Sequence, residues 1–319
     1  MSYKNIHPHN VPAEIQLPNE LLEIIINELA LDTEDSITRT ALASCRLASH
    51  VLHSVATPLL FSSIELTQKN SDYVLITNEI AIFKERAIKL NQLLANRSIA
   101  ASTHTLTLRC KNTFLEASTI GILIASIINR LPHIRNFIWD SDGTFLSFAS
   151  ITRNISSAIR TLCKSPNLTT LTLRGIQSFP ISAITACPNL RCLRLSDTET
   201  DVNSFSFPIF ILITNFIFQL NDVNSMDQTS SPQPSYLDSL EIDEYSISSL
   251  GKQPFAKYFS RIKHLQLKDI SDADELELGW DIMLLASQSL TTLDLFWFHE
   301  RKFRLVICIT AKMYLWKSF

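Results

Sequence analysis

The sequence predicts an α/β protein in which a short helical unit precedes a ladder of parallel strands lined by helices. Three observations carry that expectation. Apolar residues two apart recur seven times, as Leu106/Leu108, Phe137/Trp139, Leu171/Leu173, Leu193/Leu195, Leu240/Ile242, Leu265/Leu267 and Leu293/Leu295. On a strand such a pair shares one face, and residues such as Thr172 and Arg174 point the other way. Segments of helical period, among them 114–130 and 151–163, separate the pairs. Several strands are preceded by a proline stop, as in "SPNL" at 165–168 and "CPNL" at 187–190, where proline ends a helix and the next residues turn into the strand.

Taken from the start, residues 1–15 read as a flexible tail, and "MSYKNIHPHNVPAEIQ" has no apolar core of the kind a secretory leader needs. Leu17-Pro18 then opens a helix, proline being suited to the first turn because its missing N–H is not needed there. Glu20 and Glu23 favour the positive end of its dipole. Leu21, Leu22, Ile24, Ile25, Ile26 and Leu29 cover an arc of roughly 200°, about twice the stripe a surface helix needs. One face is expected to pack at home and another against a separate polypeptide. The stretch 38–61 reads as one further helix carrying Leu42, Cys45, Leu47, Leu52, Val55, Leu59, Leu60 and Phe61. That is more apolar surface than a unit of about 50 residues can bury alone. Segment 72–98 reads as a helix joining this unit to the ladder, so that 67–102 is a helical linker.

From Thr103 to Phe298 the pattern resembles the leucine-rich repeat family, and the expected repeat domain is 103–300. The places where that family usually carries Asn or Cys beyond the last strand leucine hold Lys111, Ile176, Thr198, Tyr245, Ile270 and Phe298, which points to the looser, helix-lined variants. No unit of such a ladder buries its face without a neighbour.

A second resemblance covers 16–66. "LPNELLEIIINEL", Cys45-x-Leu47-x-Ser49 and Leu60, Phe61, Ile64 and Leu66 look like the F-box of fungal F-box proteins, with Leu52 where that family often has Trp. The resemblance implies docking on the Skp adaptor, and through it on a cullin ubiquitin ligase, by Leu17, Pro18, Leu21, Leu22, Ile24, Ile25 and Leu52. It also implies that the repeats hold a protein substrate, the curved sheet presenting Arg109, Asp140, Arg174, Arg194, Glu241, Asp243, Lys268 and Phe296. Two other readings stay open: a helical cap over the open end of the ladder, and a repeat scaffold with no ubiquitin link.

Bulk properties narrow the classes. A formal charge of -3 argues against a general polyanion binder, so no nucleic-acid partner is expected. Five glycines, none clustered, leave no phosphate cradle, and no nucleophile elbow is present. The six cysteines form no C-x-x-C pair and suit a reducing compartment, cytoplasm or nucleus. His50 and His53 lie three apart with no third ligand evident, and read as ordinary surface histidines. Acidic residues in loops find no histidine or serine to complete a catalytic set. The expectation is therefore a non-enzyme with no cofactor and no metal, bringing catalysis to a substrate by proximity. The apolar run "FSFPIFILITNFIFQL" at 205–220 is broken by Pro208 and Asn215 and is too short for a membrane span. It lies in an irregular insertion, 201–236, that does not continue the repeat period and is read as translated intron. Residues 301–319 read as a tail, truncated or likewise foreign to the ladder.

Overall fold

The computed structural model describes residues 18–29, 36–68, 76–111, 118–141, 143, 145–198, 200–201, 236–243, 245–247, 259–270, 273–297 and 303–307. The chain divides into two compact units, Met1–Phe61 and Ser62–Phe319.

The described residues of the first unit form three helices: α1 (Asn19–Leu29), α2 (Ser36–Ala48) and α3 (His50–Leu60). Ile26, Leu42 and Ala56, one from each helix, are fully buried together, and Cys45, Leu52, Val55, Leu59 and Leu60 pack around them. The single helix expected over 38–61 is two. Ser49 lies between them in extended backbone (φ -156, ψ 162), and its hydroxyl accepts from the Leu52 N–H at 3.1 Å. A serine that satisfies an orphan amide at a helix start outweighs the continuous apolar period around it. Arg46 lies over the Phe61 ring, 5.5 Å from its centroid, so the last turn of α2 meets the end of α3.

The second unit is built on a nine-stranded sheet. Its strands are β1 (Ser63–Thr67), β2 (Thr105–Arg109), β3 (Asn136–Asp140), β5 (Thr170–Arg174), β8 (Cys192–Ser196), β10 (Ser239–Asp243), β11 (His264–Ile270), β12 (Thr292–Trp297) and β13 (Phe303–Ile307), lying side by side in sequence order. Every neighbouring pair is parallel except β12–β13, which is antiparallel. Small two-residue ladders at the margins join β4 (Leu146–Ser147) to β6 (Ile176–Gln177) and β7 (Phe179–Pro180) to β9 (Thr200–Asp201).

The seven apolar pairs read from the sequence stand in one register. Leu106 faces Phe137, then Leu171, Leu193, Leu240, Leu265 and Leu293, while Leu108, Trp139, Leu173, Leu195, Ile242, Leu267 and Leu295 form the parallel row. An eighth pair was missed: Ile64 and Leu66 of β1 lie opposite Leu106 and Leu108 and are buried. Segment 63–66, read with the helical unit, therefore belongs to the sheet. The stretch 67–102, read as a linker, holds the first crossover: α4 (Ile76–Leu93) and α5 (Arg97–Ser102) connect β1 to β2. Phe83, Ala87, Leu94 and Ile99 are buried there.

A backbone device repeats at each parallel step. Two successive amides donate to one carbonyl of the preceding strand's start, as from His104 and Thr105 to Ser62, Arg135 and Asn136 to His104, and Thr169 and Thr170 to Arg135. The same pattern continues through Thr169, Arg191, Asp238 and Lys263 as acceptors. Each strand thus begins where its neighbour fixes it, whatever the length of the crossover between them. One irregularity breaks the ladder, between Leu267 and Ile270, where Asp269 takes φ 55 and shifts the register against β12.

Helices cover the apolar rows. α6 (Ser118–Asn129) buries Ile120, Ile124, Ile127 and Ile128; α7 (Arg153–Cys163) buries Ile155, Ala158, Ile159 and Leu162. α8 (Ile181–Thr185) is a single short turn, and α9 (Ala273–Leu285) buries Ile282 and Met283. An aromatic chain Phe137, Trp139, Phe148 and Phe179 runs through the core with centroid separations of 6.5, 6.1 and 5.0 Å. Most of the insertion, 202–235, lies outside the described residues. Of the region read as a tail, Phe303–Ile307 forms β13 against β12.

Gly121 lies where α6 comes close to Thr152, at the start of α7. A Cβ there would stand 2.2 Å from Thr152 Oγ1, a buried hydroxyl with no hydrogen-bond partner. Gly121→Ala is expected to cost about 1–3 kcal/mol by overpacking. Adding Thr152→Ala should recover most of it, since the clashing atom is also an unsatisfied one; denaturant titration of the two single variants and the double variant measures this.

Candidate interaction surfaces

Among the residues expected to dock on an adaptor, Leu17 lies outside the described residues. Pro18 directly precedes α1, and its carbonyl accepts from the Leu21 and Leu22 amides at 3.1 and 3.2 Å. Leu21, Ile24 and Ile25 are 46%, 56% and 53% exposed, whereas Leu22 is half-buried and Ile26 is buried. At 100° per residue Leu21, Ile24 and Ile25 span an arc of about 100°, with the exposed Glu28 at the end of the same stripe. The helix is thus apolar on two sides, one used by its own unit. Leu52 is turned inward: half-buried, it packs against Ile26, Leu42 and Ala56. Ile37 and Leu47 of α2 are 75% and 86% exposed; Leu47 was read only as part of the apolar content of that stretch, and Ile37 was not singled out from the sequence.

On the sheet, the residues that alternate with the buried pairs form rows along the ladder. Arg109 lies 3.3 Å from Asp140 and 3.5 Å from Glu65, and Arg174 reaches the same Asp140 at 3.9 Å. Farther along, Glu241 takes Arg194 at 3.2 Å and, at very short range, Lys268. Six of the eight residues expected to bind substrate are therefore joined in two ion-pair chains, each carboxylate shared by two cations. Glu65 was not foreseen, although its Ile-Glu-Leu context repeats the strand pattern.

Asp243 departs from the expectation. It is 4% exposed: one carboxylate oxygen accepts the Asp197 N–H, and the other accepts the Ser246 N–H and hydroxyl at 3.0 and 2.7 Å. It ties the loops after β8 and β10 together and offers nothing to a partner. Phe296 is half-buried on β12, opposite Arg304 of β13. Thr172, also outward by alternation, is 3% exposed.

The repeated Pro-Asn turn has a cause that strand logic did not supply. Asn167 Nδ2 donates to the Pro132 carbonyl at 2.9 Å, and Asn189 Nδ2 to the Pro166 carbonyl at 2.8 Å, each reaching back one repeat. Ser289, at the matching position, donates to Ile262 O at 2.9 Å. At the position beyond the strands where an Asn was lacking, Thr198 is buried and its hydroxyl donates to Leu173 O at 3.1 Å.

An open groove of about 590 Å³ between α6 and α7, lined by Ser126, Asn129, Arg130 and Asn154 among others, holds no acid, histidine or thiol to serve as a base. Cys163 and Cys187 are fully buried; a side-chain hydrogen bond with Cys163, then burial, holds the Cys187 thiol far above its usual range. Among the described residues no group of His, Cys, Asp and Glu is arranged to hold a metal ion, and no helix is long and apolar enough to cross a membrane. Compared with protein-family models and with curated protein sequences, the chain matches none.

Two predictions follow from this geometry. Asn167→Ala and Asn189→Ala should each lower stability by about 0.5–1.5 kcal/mol, one net hydrogen bond, in denaturant titration. Asp197 is exposed as a residue, but partial desolvation of its carboxyl, then the charges of Asp243 and Asp269, raise that carboxyl above the ordinary range. The folded chain therefore holds more protons there than the unfolded one, and stability present at acid pH is lost as pH rises through the raised value. Asp197→Asn removes that loss and suits φ 50. Its stabilising effect should be larger at about pH 7 than near pH 4, and a gain independent of pH would contradict the assignment.

Proposed function

We propose that this chain is the substrate-recognition adaptor of a Skp/cullin/F-box ubiquitin ligase. Helix α1 docks on the Skp adaptor, and the outward face of the leucine-rich ladder holds the protein to be ubiquitinated. The observation that carries this reading is the doubled apolar character of α1, with Ile26 in the core of its unit and Leu21, Ile24 and Ile25 exposed on another side. A helix that packed only within its own unit would carry charge there. The resemblance of 16–66 to the F-box names the partner, and the resemblance of 103–298 to leucine-rich repeats assigns the substrate face. In this role the chain contributes no reacting group; it raises the local concentration of substrate beside a ligase. The cytoplasm and nucleus are the compartments that go with it.

Pull-down by the Skp adaptor tests the reading. Replacing Leu21 and Ile25 together by Asp should weaken capture by on the order of a hundredfold or more, because two apolar side chains lose their burial and two charges are introduced. Both positions are exposed, so helical circular dichroism should be unchanged. Full retention by the double variant would favour a repeat scaffold with no ubiquitin link.

A further inference from the structure

We infer that Arg174 and Arg194, with Thr172 between them, form a subsite for a carboxylate side chain of a protein partner. The inference rests on the reading of the sheet face as the substrate-holding surface and specifies what that surface takes. In the ladder Thr172 lies opposite Arg194 on one side and Ile138 on the other, while Arg174 lies opposite Ser196. Arg174 and Arg194 are therefore diagonal neighbours on adjacent parallel strands, with Cβ atoms on the order of 7–8 Å apart, within reach of one anion between their guanidinium heads.

The charges around them leave this junction cationic. Arg174 holds Asp140 only at 3.9 Å, and that carboxylate lies closer to Arg109, at 3.3 Å. Arg194 shares Glu241 with Lys268. The two ion-pair chains thus end head to head, cation against cation, with no carboxylate of the described residues between them, and both arginine side chains are about half exposed (51% and 50%). Asp243, the acid on the strand beyond, is committed to the Asp197 amide and Ser246.

A second observation at the same spot points to an acceptor. Thr172 is 3% exposed, and its hydroxyl has no hydrogen-bond partner. A buried hydroxyl left unpaired costs free energy that an incoming acceptor recovers. A carboxylate held by both guanidiniums gains charge-assisted bonds and can also accept from this hydroxyl. An extended polyanion fits less well, because Asp140, Glu241 and the exposed Asp197 flank the junction. The occupant is therefore one or two Asp or Glu side chains in an otherwise uncharged segment.

The probe is a fluorescein-labelled Ser-Gly-Glu-Glu-Gly-Ser peptide, compared with its Gln-Gln counterpart, titrated against the full chain by fluorescence anisotropy at low salt. The Glu peptide should bind at least tenfold more tightly than the Gln peptide. Replacing Arg174 and Arg194 together by Gln should abolish that difference. Lys84→Gln with Lys89→Gln, which changes net charge equally on α4, should leave the difference within twofold. Equal binding of both peptides to the unaltered chain would overturn the inference without any variant, and so would an equal loss in the two double variants. A phosphoserine peptide that binds where the Glu peptide does not would also overturn it. None of these measurements involves the Skp adaptor: a failed pull-down with intact peptide discrimination refutes the ligase reading alone, and the converse refutes the subsite alone.

Discussion

The strand register is the constraint on which the rest of the second unit depends. Each parallel strand receives its position twice, from the ladder of backbone bonds and from two adjacent amides that close on one carbonyl of the strand before. Since side chains alternate with a period of two, a slip of one residue would turn every Leu-x-Leu pair outward and carry the charged rows into the core. Fixing the strand starts makes crossover length almost irrelevant to the sheet. The chain between β8 and β10 and the much shorter one between β5 and β8 deliver their strands to the same two apolar rows. Asn167 and Asn189 reinforce this point at the turn itself, by tying each repeat's entrance to the turn of its predecessor.

That physics explains what could be read in advance. Apolar residues at period two, several of the pairs preceded by a helix stop, are a local signal, and all seven such pairs lie on strands in one register. Ser63–Thr67 carries the same signal in Ile64 and Leu66, but its neighbours Leu60 and Phe61 belong to a helix, and continuous grease hid the boundary. Ser49 hid a second one, because a capping hydroxyl inside an apolar stretch looks like an ordinary polar interruption until its partner, the Leu52 amide, is in place. The rows were legible, yet their occupants' fates were not. Asp243 and Lys268 lie opposite each other in the ladder, and alternation sends both outward; only the loop after β8, folding over to present the Asp197 amide, decides that one is buried and structural.

The sharing of carboxylates sets the character of the outward face. Half-exposed ion pairs of this kind contribute little to stability, because water already solvates both partners and ordering two long side chains costs entropy. Their consequence is geometric. A carboxylate between two cations holds both arms near the sheet, so Asp140 and Glu241 fix where the guanidinium and ammonium groups stand before any partner arrives. Preorganisation of that kind favours selectivity over raw affinity. It also makes the interruption of the alternation at Arg174 and Arg194 the place where the face differs from a neutral one.

The helical unit presents a different balance. Among the described residues three fully buried side chains, Ile26, Leu42 and Ala56, are a small core for three helices, and short chains gain little from burial relative to the entropy of ordering them. Leu21, Ile24 and Ile25 leave apolar area on α1 uncollected, and covering them would stabilise the same helix that positions Ile26. On the proposed reading docking and folding of this unit would be one equilibrium: a partner that shields the exposed stripe would bind the ordered helices and not the unfolded segment, and would raise their stability by mass action. A cap that closed only a ladder's end would need no such second stripe on a helix whose core-facing side is already occupied.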